Sequence, residues 1–298
     1  MKRYSIKTLQ NQKTKFMLCT LILVLFVPQS QASYFSHQTD RIQLNQLLKK
    51  SPKYCYKVKN IALFYVCLEK IKEKKYMYRT TTSERVSLSG TVVEKPYKSL
   101  KLKRTKIYSY VYDYQLIKKG EELRERRILI EKNKKKKQKE NAELEVGYSA
   151  KYPVYGPVGF LSSYWQDYFD YEITGEERIS GTLAVVVKAT PTANNEENRN
   201  FARIWLDKKE GSILQIVWEP ESILDYEEKP FRSHAGELKP TVEWKITYGI
   251  EKNGVRFPSR QQVQEFLITE EGRRFISDEI NTSLEDYRFF VVETEIKN

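Results

Sequence analysis

Histidine is almost missing from this 298-residue chain: there are two, His37 and His234. Neither sits in a nucleophile setting such as G-x-S-x-G, so a serine or cysteine hydrolase with a histidine base has no support. Two separate histidines also cannot furnish a zinc site, and there is no C-x-x-C, H-E-x-x-H or calcium-loop spacing. We expect no metal. Glycine is equally sparse, with twelve residues spread mostly over turns, so neither a P-loop nor a dinucleotide fingerprint can be assembled and no cofactor is expected. Acidic pairs such as Glu176-Glu177 and Glu270-Glu271 are common. Neighbours on a strand point to opposite faces, however, whereas a glycosidase needs two carboxylates converging across a cleft. The reading is of a protein that is not an enzyme.

Long apolar runs are absent too, with one exception. Residues 16–27 are almost unbroken hydrophobic, preceded by Lys2, Arg3, Lys7, Lys13 and Lys15 without an acid and followed by the small-residue stretch ending at Ala32. This pattern predicts a signal peptide over residues 1–32, cleaved after Ala32. The run is far short of the roughly 20 residues a membrane span needs. Cys19 lies inside it rather than after it, so no lipid-modified cysteine is expected. The chain reads as secreted across the inner membrane and periplasmic.

Cysteine is rare: three residues, of which Cys55 and Cys67 remain after cleavage. In an oxidising compartment an even pair suggests one disulfide. Twelve residues of straight helix would hold them about 18 Å apart, so a bridge needs a turn between them, near Asn60. The alternative is two buried thiols at opposite ends of one helix.

What is abundant is charge and tyrosine. The chain carries 52 basic and 39 acidic residues and 21 tyrosines. The basic excess precedes Asn200, and its densest part is Lys132, Lys134, Lys135, Lys136, Lys137 and Lys139. A lysine block without arginine or aromatic residues attracts phosphate but offers neither stacking nor bidentate base readout, so nucleic acid is not a predicted partner. Two readings stand: a solvated loop tip, or a basic patch for an anionic membrane surface.

Apolar residues at three- and four-residue spacing predict helices over 38–50 and 52–72. Thr, Ser, Val and Tyr then predict a strand over 76–94. Residues 106–117 alternate, placing Tyr108, Tyr110, Tyr112, Tyr114 and Leu116 on one face, and a turn at 118–121 leads into a partner strand over 123–131. The tyrosine stripe is either core or the wall of a ligand cavity. Gly156-Pro157 opens a short amphipathic helix over 158–169, with Leu161, Tyr164, Trp165 and Tyr168 on one face. Strands are expected over 171–174, 183–190, 203–207, 213–219, 241–250, 257–268 and 287–296, with polar loops at 194–200 and 225–240. The organisation reads as signal peptide 1–32, an N-terminal helical segment 33–75 and one domain over 76–298.

Three later segments carry a resemblance. They are residues 179–191 (ISGTLAVVVKATP), residues 201–215 with their W-L-D-x-x-x-G-x-I-L hairpin, and residues 242–259, ending in G-V-R-F-P-S. In this order after a signal peptide, they resemble the LolA-like superfamily of periplasmic lipoprotein carriers, outer-membrane receptors and envelope-stress regulators. The resemblance implies a mainly β fold with helices (α+β), in which a strongly curved antiparallel sheet forms an incomplete barrel with a helical lid. It also implies a carrier for a lipid, acyl chain or acylated protein, in outer-membrane lipoprotein sorting. The alternative is an envelope sensor or protein-interaction module of the same fold. Candidates for lining a cavity are Tyr108, Tyr110, Tyr112, Tyr114, Phe160, Leu161, Trp165, Trp205, Trp218 and Trp244, in a protein expected to be monomeric.

Overall fold

The computed structural model describes residues 29–62, 64–83, 97–119, 122–150, 152–193, 201–224, 239–269 and 271–290. Most of the expected signal peptide, the loop at 194–200, His234 and the expected strand end at 291–296 lie outside the described residues. Met1–Gln46 and Leu47–Asn298 are separate compact units. In the first, the described residues belong to helix α1 (Gln29–Ile61).

In the second unit, thirteen strands follow. They are β1 (Tyr65–Ser83), β2 (Tyr97–Lys119), β3 (Glu122–Lys132), β4 (Lys135–Lys139), β5 (Phe169–Ile179), β6 (Thr182–Pro191) and β7 (Ala202–Asp207). Then come β8 (Ile213–Trp218), β9 (Lys239–Thr247), β10 (Ile250–Lys252), β11 (Val255–Phe257), β12 (Arg260–Ile268) and β13 (Arg274–Phe289). Eleven form one antiparallel sheet in the order β4-β3-β2-β1-β13-β12-β9-β8-β7-β6-β5, with β10-β11 a separate hairpin. The large curved sheet is not closed. Register shifts at Met77/Tyr78, Val111/Tyr112, Glu265/Phe266 and Ile173/Gly175 are the kind of irregularity that bends strands.

The helix expected over 52–72 ends early. Beyond Ile61 the sequence alternates, with Tyr65, Cys67, Glu69, Ile71 and Glu73 buried and Lys70 and Lys72 exposed. This period of two suits a strand paired on both sides, and β1 is bonded to β2 and β13 along most of its length. The apolar spacing around Val58 to Tyr65 therefore straddles a helix end and a strand start. That also corrects the disulfide: Cys55 lies on α1, Cys67 on β1, and both are buried free thiols. The Cys55 thiol donates to the Pro157 carbonyl at 3.7 Å. Burial raises both thiol pKa values, that of Cys55 to about 12, which keeps them protonated and unreactive.

Two further differences bear on function. The helix expected over 158–169 is split into α2 (Gly156–Leu161) and α3 (Ser163–Gln166), preceded by a 3-10 turn (Pro153–Tyr155), because Ser162 is extended and Phe169 already starts β5. A last short helix, α4, is Pro220–Leu224. The lysine block is not a loop tip: Asn133 and Lys134, both at positive φ, make a tight turn and Lys135–Lys139 return as the edge strand β4. The strand β13 went unrecognised over most of its length, because its residues 274–286 are mostly polar and half-buried.

Candidate functional site

Register decides which side chains share a face. One row crosses nine strands: Lys132, Tyr110, Ile71, Thr282, Gln261, Ile246, Ile216, Ile204 and Val187 are successive cross-strand partners from β3 to β6. The next row on the same face runs Tyr108, Glu73, Ile280, Val263, Trp244, Trp218 and Ala202. The tyrosine stripe, Trp218 and Trp244 thus lie on one face. Trp205, the neighbour of Ile204, lies on the other. It packs there with Ala184, Val186 and Leu214 and donates its indole N–H to Glu177 at 2.8 Å.

On the shared face Tyr110, Tyr112, Tyr114 and Leu116 are buried, and Tyr108 is half-buried. The Trp218 and Trp244 rings lie 5.8 Å apart, with Tyr148 edge-on to Trp244 at 6.3 Å. Burial pushes the Tyr112 hydroxyl up to about 12 and holds Tyr65, Tyr114 and Tyr248 well above the usual tyrosine range.

The stripe also carries charge that sequence reading missed. Arg127 on β3 donates to Glu69 on β1 at 2.7 Å and to Glu125 at 3.3 Å, and its guanidinium lies 4.6 Å from the Tyr114 ring centre. Burial opposes the Arg127 charge, but Glu69 and Glu125 outweigh it and raise its pKa. The signal was available: Glu69 follows Cys67 by two residues on a strand, and Arg127 pairs with Tyr114. It was hidden by the helical reading of residues 62–72.

Residues 152–166 cover part of this face. Tyr248 donates to the Pro153 carbonyl at 2.8 Å, Tyr155 to the Ala62 carbonyl at 3.0 Å, and Tyr171 to the Phe160 carbonyl. Gln166 donates to the carbonyls of Leu48 and Leu161, each at 2.9 Å. Phe160 and Leu161 are buried, with Phe160 5.3 Å from the Phe169 ring. The segment starts under strain: Tyr152 has φ 47° immediately before Pro153, a left-handed conformation that costs a non-glycine residue about 1–2 kcal/mol. It is held there by Glu125, which accepts the Tyr152 backbone N–H and the Tyr114 hydroxyl, both at 2.7 Å. Trp165 is half-buried in a surface cluster with Tyr164 and Tyr168, ring centres 5.1–5.6 Å apart.

The lysine block lies at the sheet edge. Lys134, Lys135, Lys136, Lys137 and Lys139 are exposed, and Lys132 pairs with Glu145. Among the described residues no group of three or more His, Cys, Asp or Glu is placed to hold a metal ion, and no helix is long and apolar enough to cross a membrane.

No family model and no curated protein matches the chain. Among solved structures it is similar to a DUF1329 family protein from Desulfovibrio piger (11% identity, TM-score 0.34, covering 83% of this chain and 95% of that one). It is likewise similar to a LolA superfamily protein from Nitrosomonas europaea (9%, 0.31, 83% and 94%). A third is a putative outer membrane lipoprotein-sorting protein domain from Vibrio parahaemolyticus (13%, 0.32, 84% and 95%). At these identities and scores the likeness carries no functional argument.

Proposed function

We propose that this chain is an exported, periplasmic, non-enzymatic binding protein that takes up an apolar ligand between the shared sheet face and the segment 152–166. The ligand class is a lipid, an acyl chain or an acylated protein, and the role fits outer-membrane lipoprotein sorting. In this reading the open sheet serves as the incomplete barrel and the broken segment as its lid.

The observation that carries the reading is the way the lid begins. Tyr152 is strained and is kept so by Glu125 on its backbone N–H and by the bond from its own hydroxyl to the Leu123 carbonyl at 3.0 Å, while the segment beyond it is three short helical pieces tied to the sheet by side-chain hydrogen bonds and by buried Val154, Val158, Phe160 and Leu161. Strain of this kind persists only where its surroundings enforce it, and release of Tyr152 from Glu125 favours opening. Opening exposes buried tyrosine and aliphatic surface, a cost that an entering chain offsets at about 0.8 kcal/mol per buried CH₂.

The test is native mass spectrometry of protein purified from its own periplasm, followed by lipid extraction and titration with a fluorescent fatty acid. We expect a retained acyl mass, saturable one-to-one binding, altered amide exchange in residues 152–166, and weaker binding by Trp165→Ala with little change in melting temperature. Exchange in that segment as slow as in the central strands, together with no binding, would make the face permanent core and end the proposal.

A second reading, an envelope sensor or interaction module, is favoured by one feature: Tyr164 is 63% exposed within its aromatic cluster. Co-purification of a stoichiometric protein without an acyl mass would select it.

A further inference from the structure

Strands β1 and β2 run past the rest of the sheet. Pairing of β1 with β13 stops at Lys75, and pairing of β2 with β3 stops at Tyr110, yet β1 and β2 stay paired from Tyr76↔Thr105 to Ser83↔Tyr97. At about 3.3 Å per residue this makes a two-stranded arm roughly 25 Å long. Its β2 edge is open. Asn133, at the turn between β3 and β4, closes that edge at Ser109, donating its backbone N–H to the Ser109 carbonyl at 2.8 Å and accepting the Ser109 N–H at 2.9 Å. Beyond Ser109, among the described residues, no strand pairs with this side of β2. Backbone groups alternate between the two sides of a strand, so Ile107 and Thr105 point their N–H and C=O outward as Ser109 does.

Register sorts the side chains of this edge into two faces. Ile107 lies opposite Lys74, Thr105 opposite Tyr76 and, past a register shift at Met77/Tyr78, Leu102 opposite Tyr78; these share one face. Lys106 lies opposite Lys75, Arg104 opposite Met77 and Lys101 opposite Arg79; these share the other. All six of these β2 residues are exposed, Leu102 at 49% and Ile107 at 58%. The cations of the arm lack acidic neighbours. Lys75, at its base, pairs with Glu73 at 3.0 Å, but no acidic residue occurs in 76–83 or 97–112, and Arg104 donates its Nε–H to the neutral Met77 sulfur at 3.0 Å. Lys101 stands directly across from Arg79, and like charges so placed destabilise a sheet. An anion brought from outside relieves that repulsion.

We propose that the open edge of β2 over residues 101–108 is a docking site for an acidic polypeptide segment, which adds as a further strand with acidic and aliphatic residues in alternation. The outward N–H and C=O groups select a polypeptide over other polyanions, because another main chain satisfies them in register. The two faces select the pattern. Side chains of an added strand lie beside those of β2, so acids meet Lys101, Arg104 and Lys106 on one face while aliphatic residues cover Leu102 and Ile107 on the other. The same cations repel a second copy of this basic strand, so the edge resists self-association and accepts an acidic chain. The site does not depend on the lid or on an apolar ligand, so it stands or falls separately from the function proposed above.

The experiment is fluorescence anisotropy of a labelled, end-capped octapeptide of alternating glutamate and valine, titrated with the purified full chain. We expect saturable one-to-one binding, weakened by salt, with slowed amide exchange at Thr105 and Ile107. A version N-methylated throughout keeps the charges but lacks the N–H donors, and a lysine-valine counterpart reverses the charge; neither should bind. Each opposite-charge pair across strands contributes a factor of about 1.4 to 5, so K101Q/R104Q/K106Q should weaken binding on the order of tenfold. The same number of charges removed from exposed helix positions, K49Q/K53Q/K57Q, should leave most of the binding. Ile107→Pro removes an outward N–H that pairing with β1 does not use, and should weaken binding without loss of the fold. All replaced side chains are on the surface, and unchanged melting temperatures will show that the variants fold. Equal binding of the N-methylated peptide, equal loss in the helix variant, or heparin binding with no binding of the glutamate-valine peptide would each overturn the proposal, as would the absence of any binding.

Discussion

Arg127 illustrates how much a single side chain organises here. It is 9% exposed, bridges Glu69 and Glu125, and stacks on Tyr114, while Glu125 also fixes the strained Tyr152. Removing one partner of a buried ion pair leaves an uncompensated charge, so Arg127→Met should destabilise the protein by about 3–5 kcal/mol in urea unfolding. Adding Glu69→Leu should recover part of that loss. A single variant as stable as the parent would show that the cluster contributes nothing to folding. The buried tyrosines give a second residue-level expectation. In the unfolded chain they titrate near pH 10, whereas burial raises Tyr112 to about 12 and holds Tyr65, Tyr114 and Tyr248 well above their unfolded value. Below pH 10 both states hold the tyrosine proton and this contribution is intact. Above it the unfolded state loses protons first, so stability falls as pH rises towards the folded values. Urea midpoints should therefore be level from pH 7 to about 8, decline as the unfolded thiols of Cys55 and Cys67 ionise, and drop more steeply beyond pH 10, with tyrosinate absorbance appearing together with unfolding. Gradual tyrosinate formation in an intact fold would contradict this.

Among the elements, the lid is the least regular and the most sensitive to shape. A Cβ added at Gly156 would lie 2.6 Å from the Tyr248 hydroxyl oxygen and 3.1 Å from Ile216 Cδ1. Tyr248 is buried and bonded to Pro153, so it cannot swing away without losing that bond. Gly156→Ala should cost about 1–3 kcal/mol. Amide exchange should quicken in residues 152–161 and remain unchanged in β6 and β7; uniform quickening would mean that the lid and sheet open as one unit. The same element shows why its outline was only half legible. Gly156-Pro157 marks a helix start in sequence, and α2 begins there. Its length was overestimated because Trp165 and Tyr168 continue a helical spacing through Ser162, whose extended backbone breaks the helix and turns α3 outward.

For the molecule as a whole, the eleven-stranded order joins β1 to β13 and places the most basic hairpin at one sheet edge. Local pattern determined a good deal on its own. Alternation along β2, the turn chemistry at Asp207 to Gly211 and the β-rich second half follow from neighbours in sequence, since side-chain direction in a strand reverses at every residue. The scarcity of histidine and glycine was equally sufficient to leave the common hydrolase, zinc and nucleotide sites without residues. What only the tertiary structure decided depends on partners distant in sequence. Residues 65–75 became a strand because β2 and β13 supply hydrogen bonds on both sides. Cys55 and Cys67 separated because one stayed on a helix and the other entered that strand. Trp205 was divided from Trp218 and Trp244 by register, and Glu69, Glu125 and Arg127 met because three strands aligned them. Sequence fixes which way a side chain points relative to its neighbours; only pairing across the sheet fixes what it then meets.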